Sequence, residues 1–381
     1  MIAGWLALAL LGQVELRGGE SAPQGRVVRV EAGGVFVATG PETAGNTATL
    51  VVTWDHVKRL EGEWAARGKQ FMPDADTLWR ARTRLERGDT PSAERLFEDL
   101  FRKHRGTPGA TAAVVAEGLL RCRMRRGAHV LAIEPWLALL DSRDASGVPS
   151  LHPGWAADAG LTPILDEATG LVPGLPPIFV AWPSLMAWAN GPDLWTPTSA
   201  RSVTLGALYV AAARAEVGRQ GTLPRFSGSD GGAQFVWNVV AARAGDAEQR
   251  DAARKFLRDR RRSWPGGGPA PAWARAWCHA AIGRSLLIEP ELERRQQGLI
   301  ELLAIPAELS TAHPYLAGLA LAESASTLQA LGDGTGAATL ASELAERYPG
   351  HPALDWDMMR AFRRATEPAA SPDPKDKEGG S

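Results

Sequence analysis

The sequence predicts a mainly α protein: helical hairpins stacked as an α-solenoid, preceded by a small barrel-like β module. Three observations carry this. First, one helix–break–helix signature is written near both ends. It runs from Leu85 through Gly88-Asp89 to Leu100, and again from Leu331 through Gly332-Asp333 to Leu344. In both, Gly-Asp breaks the helix, an Ala follows five residues after the Gly, and an apolar stripe continues. That stripe is Ala93, Phe97, Leu100 in one copy and Ala337, Ala341, Leu344 in the other. Second, the apolar period changes from two to the helical value near Asp74. Third, the 381 residues are 45% hydrophobic and 22% charged, values of a globular chain long enough for a sizeable core. A single hairpin cannot cover its own apolar face, so such units stack and present an extended surface.

Taken in order, residues 1–12 read as a signal peptide or membrane anchor. Ile2 to Leu11 is apolar except for Gly4, the length of a secretory h-region and too short to span a bilayer. Residues 13–62 read as β. Five short alternating runs, Val14–Leu16, Gly25–Val30, Val35–Val37, Thr49–Trp54 and His56–Leu60, are bounded by glycine pairs. Helical hairpins follow over 74–127. Pro91 suits a first turn, and Arg102, Lys103 and His104 suit a last one. Residues 128–200 break the rhythm with a Pro- and Trp-rich stretch expected to be an irregular insertion. Hairpins resume over 201–365, with a third Gly-Asp at Gly245-Asp246, and the polar residues 366–381 read as a disordered tail.

The two outer Gly-Asp units resemble tetratricopeptide (TPR-like) repeats. That family's pattern places Gly, then Ala five on, an aromatic nine on, and Pro at the end of the second helix. Gly88, Ala93 and Phe97 match in the first copy; Gly332, Ala337 and Pro349 match in the second, with Ala341 in the aromatic slot. The Trp that the family places in its first helix is replaced by Thr77 and Leu321. The resemblance implies helical hairpins that bind protein partners. The spacing of the five strands resembles small SH3-like or Sm-like barrels.

Candidate chemistry is sparse. Gly332-x-Gly334-x-x-Ala337 imitates a dinucleotide fingerprint, but a helix precedes it where a strand is needed. Ser227-Gly228-Ser229-Asp230-Gly231 approaches a hydrolase elbow without its first glycine or its buried strand, and reads as a loop with Ser229 or Asp230 capping the next helix. Asp166 and Glu167 are adjacent and face apart, so a hydrolytic pair would need a second carboxylate across a cleft, from Asp193 or Asp230. No catalytic residue, metal ligand set or cofactor is assigned. Cys122 and Cys278 read as two buried hydrophobes on separate helices, with pairing in an exported protein as the alternative. Basic stretches at Arg121–Arg126 and Arg254–Arg262 suit helix C-termini, and a net charge of −1 gives no field that would draw in nucleic acid.

The candidate binding residues are Phe179, Trp182, Trp188 and Trp195, which line a pocket for a sugar or peptide or else fill the curvature as core. The expected function is a non-catalytic protein–protein interaction scaffold of the periplasm or cell envelope, with membrane contact only through an uncleaved N-terminal segment. The alternative is an all-helical, toroid-like enzyme acting on saccharide or another polymer through carboxylates near the Trp-rich insertion.

Overall fold

Glycine ends the first strands where the alternation predicts. The computed structural model describes residues 14–19, 23–39, 48–147, 162–180, 183–191, 197–219 and 222–366. Its five strands are β1 (Val14–Leu16), β2 (Arg26–Glu31), β3 (Gly34–Thr39), β4 (Ala48–Val52) and β5 (Val57–Leu60). They form two antiparallel sheets, β1-β5 and β2-β3-β4. Glu31 pairs with Gly34 across the Ala32-Gly33 turn. Gly34 has φ 139°, and a Cβ there would lie 2.5 Å from the Val52 carbonyl oxygen, so the turn admits little but glycine.

A module this small cannot stabilise itself. Its core of Val14, Leu16, Val27, Val35, Val37, Val52, Trp54, Val57 and Leu60 is completed by Ala75, which lies in a helix, with Trp64, Phe71 and Met72 packed against it. Trp64 belongs to α1 (Trp64–Gly68), a short helix the sequence reading did not anticipate, and Ala75 to α2 (Met72–Glu86). The buried Asp55 carboxylate accepts from Arg82 of α2 at 2.7 Å, and Trp54 packs on Phe71 at 5.0 Å between ring centroids. At the far side, the Thr111 hydroxyl donates to the Gly33 carbonyl at 3.0 Å and accepts from the Trp54 amide at 3.2 Å. Thr111 lies in α4 (Ala110–Arg125), so the strands are tied to α2 and α4 at once.

The remaining helices are α3 (Thr90–His104), α5 (His129–Ser146), α6 (Pro183–Ala189), α7 (Ala200–Glu216), α8 (Gly231–Ala244), α9 (Ala247–Arg262), α10 (Ala272–Leu287), α11 (Leu292–Glu308), α12 (Pro314–Ala330), α13 (Gly334–Arg347) and α14 (Asp357–Thr366). The helical rhythm therefore continues to Ser146, inside the stretch expected to be irregular from 128. Pro135 does not stop α5: the Leu131 carbonyl, which loses its helical amide there, accepts instead from Arg123 at 2.7 Å. The chain forms two compact units. The first comprises Met1–Leu175, Ala187–Val210 and Pro224–Gln234; the second comprises Pro176–Met186, Ala211–Leu223 and Phe235–Ser381. The predicted signal or anchor over 1–12 and most of the tail, 367–381, lie outside the described residues.

Within the first unit, α2, α3, α4 and α5 pack each on the next, and α2 also reaches α4. In the second, α9 to α14 pack in the same sequential way, and α10 reaches α12. The Gly-Asp turns have one geometry in both. Gly88 and Gly332 take left-handed backbone, φ 85° and 89°. The following amides reach back to close the helix, Asp89 N to Arg84 O and Asp333 N to Leu328 O, both at 2.9 Å. The same aspartates then cap the next helix, accepting from Ser92 N at 3.3 Å and Gly336 N at 2.8 Å. Gly127, between α4 and α5, makes the same backbone turn without an aspartate. Gly245-Asp246 differs: Gly245 is not left-handed, and Asp246 forms a capping box with Gln249.

All six stripe residues are buried. Phe97 owes its place to Gly118 of α4, where an added Cβ would fall 2.3 Å from the ring. Gly118→Ala is therefore expected to lower stability by about 1–3 kcal/mol, and Phe97→Leu in the same chain to recover part of it. Urea unfolding midpoints of the two variants check this.

His351 gives a pH dependence. It is buried, its Nε2 lies 2.9 Å from the Tyr315 carbonyl oxygen, and its Nδ1 accepts from Ala353 N at 3.1 Å. That arrangement needs the neutral ring, and burial pulls its pKa from the ordinary 6.5 down to about 4. The unfolded chain then binds the proton first, so His351 withdraws about 3 kcal/mol of stability as pH falls from 6.5 to 4. Stability curves for the unchanged protein and His351→Asn should converge in slope outside that window and differ within it.

Candidate functional site

Two apolar helices of the second unit each carry a buried charge, and the charges meet. Helix α10 is buried on nearly every side and places Arg284 inside; α12 is otherwise uncharged and places Glu323 beside it. Arg284 Nη2 lies 2.7 Å from Glu216 at the end of α7, and its Nε lies 2.7 Å from Glu323. The Arg284 side chain is 5% exposed, those of Glu216 and Glu323 12% and 14%, so the cluster is nearly dry. Burial works against the Arg284 charge, yet the two carboxylates hold its pKa well above the ordinary value. Burial, with Glu216 close by, raises the Glu323 carboxyl against the pull of Arg284. Arg243 of α8 completes the set, its pKa lowered by burial and by Arg284.

A small cleft opens beside this cluster. Its walls are Pro177 and Ile178, Ala212, Ala215 and Glu216 of α7, Val239, Val240 and Arg243 of α8, and Ala281 and Arg284 of α10. Its volume is about 10 Å³, room for one water molecule. Tyr315 of α12 holds the backbone of the irregular segment that carries Pro177. Its hydroxyl accepts from Val180 N at 3.0 Å and donates to Ile178 O at 3.3 Å. Burial raises the phenol pKa, so the proton it donates stays in place.

Comparison with family models, curated proteins and solved structures gives no match. The site's chemistry is therefore read from its own atoms. A fixed guanidinium with a carboxylate on each of two edges is a rigid crosslink of three helices. Simpler pairings of arginine with acids occur elsewhere in both units. Arg254 binds Glu289 and the Ser285 hydroxyl, each at 2.8 Å. Arg261 of α9 and His279 of α10 converge on Glu301 of α11, at 3.1 and 2.7 Å. In the first unit Arg126 and Glu94 join α4 to α3 at 2.8 Å, and Arg121 and Glu117 pair at 2.8 Å within α4. Most arginines of the two basic stretches are thus engaged with acids of their own unit.

The residues singled out in the sequence divide as follows. Phe179 is buried in the second unit and Trp188 in the first, where its indole N–H has no hydrogen-bond partner among the described residues. Trp182 and Trp195 lie outside the described residues, as does Asp193. Asp166 is used by its own turn, accepting from Thr169 N at 2.9 Å and the Thr169 hydroxyl at 2.6 Å. Asp230 caps α8 through Ala233 N at 2.7 Å and pairs with Arg201 at 3.1 Å. No strand precedes Ser229, and α12 precedes Gly332, so neither imitation motif has the frame it needs. Cys122 and Cys278 are free and fully buried, one in each unit, and burial pushes both thiols up to about 12. Among the described residues no group of three or more His, Cys, Asp or Glu could hold a metal, and no helix is long and apolar enough to cross a membrane.

The Arg284 cluster was missed in the sequence. The signal was available: an Arg in the apolar run Cys278–Leu287 and a Glu as the only charge of Pro314–Ala330. Removing one member of a dry cluster leaves the others unpaired. Arg284→Met is expected to cost about 3–5 kcal/mol. Glu323→Gln should cost clearly less, because the amide oxygen of Gln can still accept from Arg284 Nε while Glu216 keeps the guanidinium paired. Urea unfolding of both variants at pH 7 measures the difference.

Proposed function

We propose that this chain is a non-catalytic protein–protein interaction scaffold of the cell envelope. In this reading its helices form TPR-like hairpins of an α-solenoid, with a small SH3- or Sm-like module at the start. The observation that carries it is next-but-one packing. Helix α2 reaches α4 and α10 reaches α12, the contact a stacked hairpin makes with the first helix of its successor. The shared left-handed glycine turn at Gly88, Gly127 and Gly332 supports it, because one turn geometry repeated gives one hairpin geometry repeated. Large apolar side chains stand exposed on helices of both units, Trp79 and Leu131 in the first, Leu292 and Ile300 in the second. Such side chains are the anchors an interaction surface uses. The saccharide-hydrolase alternative loses two of its candidate acids, since Asp166 and Asp230 are bound to backbone amides.

The test is in-cell photocrosslinking from position 79 and from position 300 of the tagged protein, followed by mass spectrometry. A recurrent envelope protein, lost when Trp79→Glu or Ile300→Glu is introduced, is the expected result. No protein partner at native expression, together with measurable saccharide binding by the purified chain, would sink the scaffold reading. Fractionation of the same cells checks the envelope location.

A further inference from the structure

The irregular segment of the second unit behaves as a bound peptide. Residues 176–180, Pro-Pro-Ile-Phe-Val, belong to no helix or strand, yet Ile178, Phe179 and Val180 are 4%, 2% and 4% exposed. Burying an extended chain is normally costly, because its amides and carbonyls lose water. Here two of the five residues are prolines and have no N–H to satisfy. The Val180 N–H and Ile178 C=O are satisfied from outside the segment, by the single hydroxyl of Tyr315. A backbone outside helix and strand, held through its main-chain hydrogen bonds by a side chain of a neighbouring helix, is the arrangement by which a protein captures a peptide. The walls around Pro177 and Ile178 combine small side chains, Ala212, Ala215, Val239, Val240 and Ala281, with the charged Glu216, Arg243 and Arg284. Small side chains let a backbone approach closely and leave the cleft of about 10 Å³ beside the segment incompletely filled.

We propose that the helices around Tyr315 form a binding site for an extended proline-and-apolar peptide, and that residues 176–180 occupy it in cis. A partner segment of the same chemistry binds by displacing the chain's own. This deepens the interaction reading above and rests on it for the existence of a partner, while the cis occupancy stands on the Tyr315 geometry alone. The tethered segment competes at high effective concentration, so the apparent dissociation constant for an added peptide is the intrinsic one divided by the small fraction of molecules with the site vacant.

The probe is a fluorescent synthetic peptide of residues 174–180, titrated into the full chain and into two variants. Phe179→Ala weakens the occupant and leaves the site unchanged. The peptide, which retains its own Phe, should then bind at least about tenfold more tightly than to the unchanged protein. Tyr315→Phe removes both backbone hydrogen bonds from occupant and probe alike. It should expose residues 176–180 to proteolysis without the gain in peptide binding. A probe with Ala in place of its Phe should not gain on either variant. Val180→Ala serves as the milder occupant variant if Phe179→Ala does not fold. Loss of folding in both, or native folding with no gain in peptide binding, would overturn the proposal and return the segment to ordinary core. That result leaves cellular crosslinks from positions 79 and 300 untouched, so the two readings fail separately.

Discussion

The left-handed glycine turn is the constraint on which the helical architecture rests. A helix ends with unpaired carbonyls, and the next begins with unpaired amides. Gly88 and Gly332 resolve both within two residues. The reversed backbone returns the following amide to the closing helix, and the aspartate carrying that amide caps the opening one. Because the turn is short and rigid, the two helices must run antiparallel and in contact, with the Ala at the fifth position innermost. Ala93 and Ala337 are fully buried for that reason, and a larger residue there would drive the pair apart. Gly127 shows that the glycine, not the aspartate, fixes the reversal. Gly245-Asp246 shows the converse: the cap forms without the left-handed glycine, and the helix junction is different in kind.

Buried arginine does a second job that packing alone cannot. Ala-rich helices such as α10 and α12 present nearly featureless surfaces, able to slide or rotate against a neighbour at little cost. Arg284 removes that freedom, because a planar guanidinium satisfies Glu216 and Glu323 only in one relative placement. Such clusters contribute little net stability, since desolvation offsets much of the attraction. Their value lies in register. Lysine would not serve equally, having a single point of charge and no edge to offer a second carboxylate. The chain's preference for arginine thus has a structural use in Arg254, Arg261 and Arg284, each of which reaches a neighbouring helix.

What could be read in the sequence was what is local. Five strands, the helices that follow Gly-Asp, and the capping role of Asp230 depend on neighbours a few residues away, and each was legible. Helix α5 was absorbed into the irregular insertion because Pro135 and its unpunctuated apolar run gave no period to follow. The Arg284 cluster was hidden for a different reason. Its partners lie 68 and 39 residues away, and nothing at either end announces the other. The aromatics of the insertion left two readings open, a pocket lining and core filling. Phe179 and Trp188 are interior, a matter of burial that composition alone does not decide.

The buried irregular segments pose the harder physical question, which is why they are not helical. Residues 171–180 carry Pro173, Pro176 and Pro177, and a helix through them would lose three hydrogen bonds and clash at each ring. The residue before each proline is also pushed toward extended backbone. Irregular chain without a neighbouring strand must find its hydrogen bonds elsewhere, and two tyrosines supply part of them. Tyr209 of the first unit donates to Leu175 O, and Tyr315 of the second holds Ile178 and Val180. Both phenols are buried deeply enough that their pKa values rise, so the donors persist across the physiological range. Proline lowers the number of amides to be satisfied, and tyrosine satisfies what remains from the side of a helix. That division of labour lets an irregular segment be interior at all, and it is the same one by which a helical protein can hold an extended peptide that is not its own.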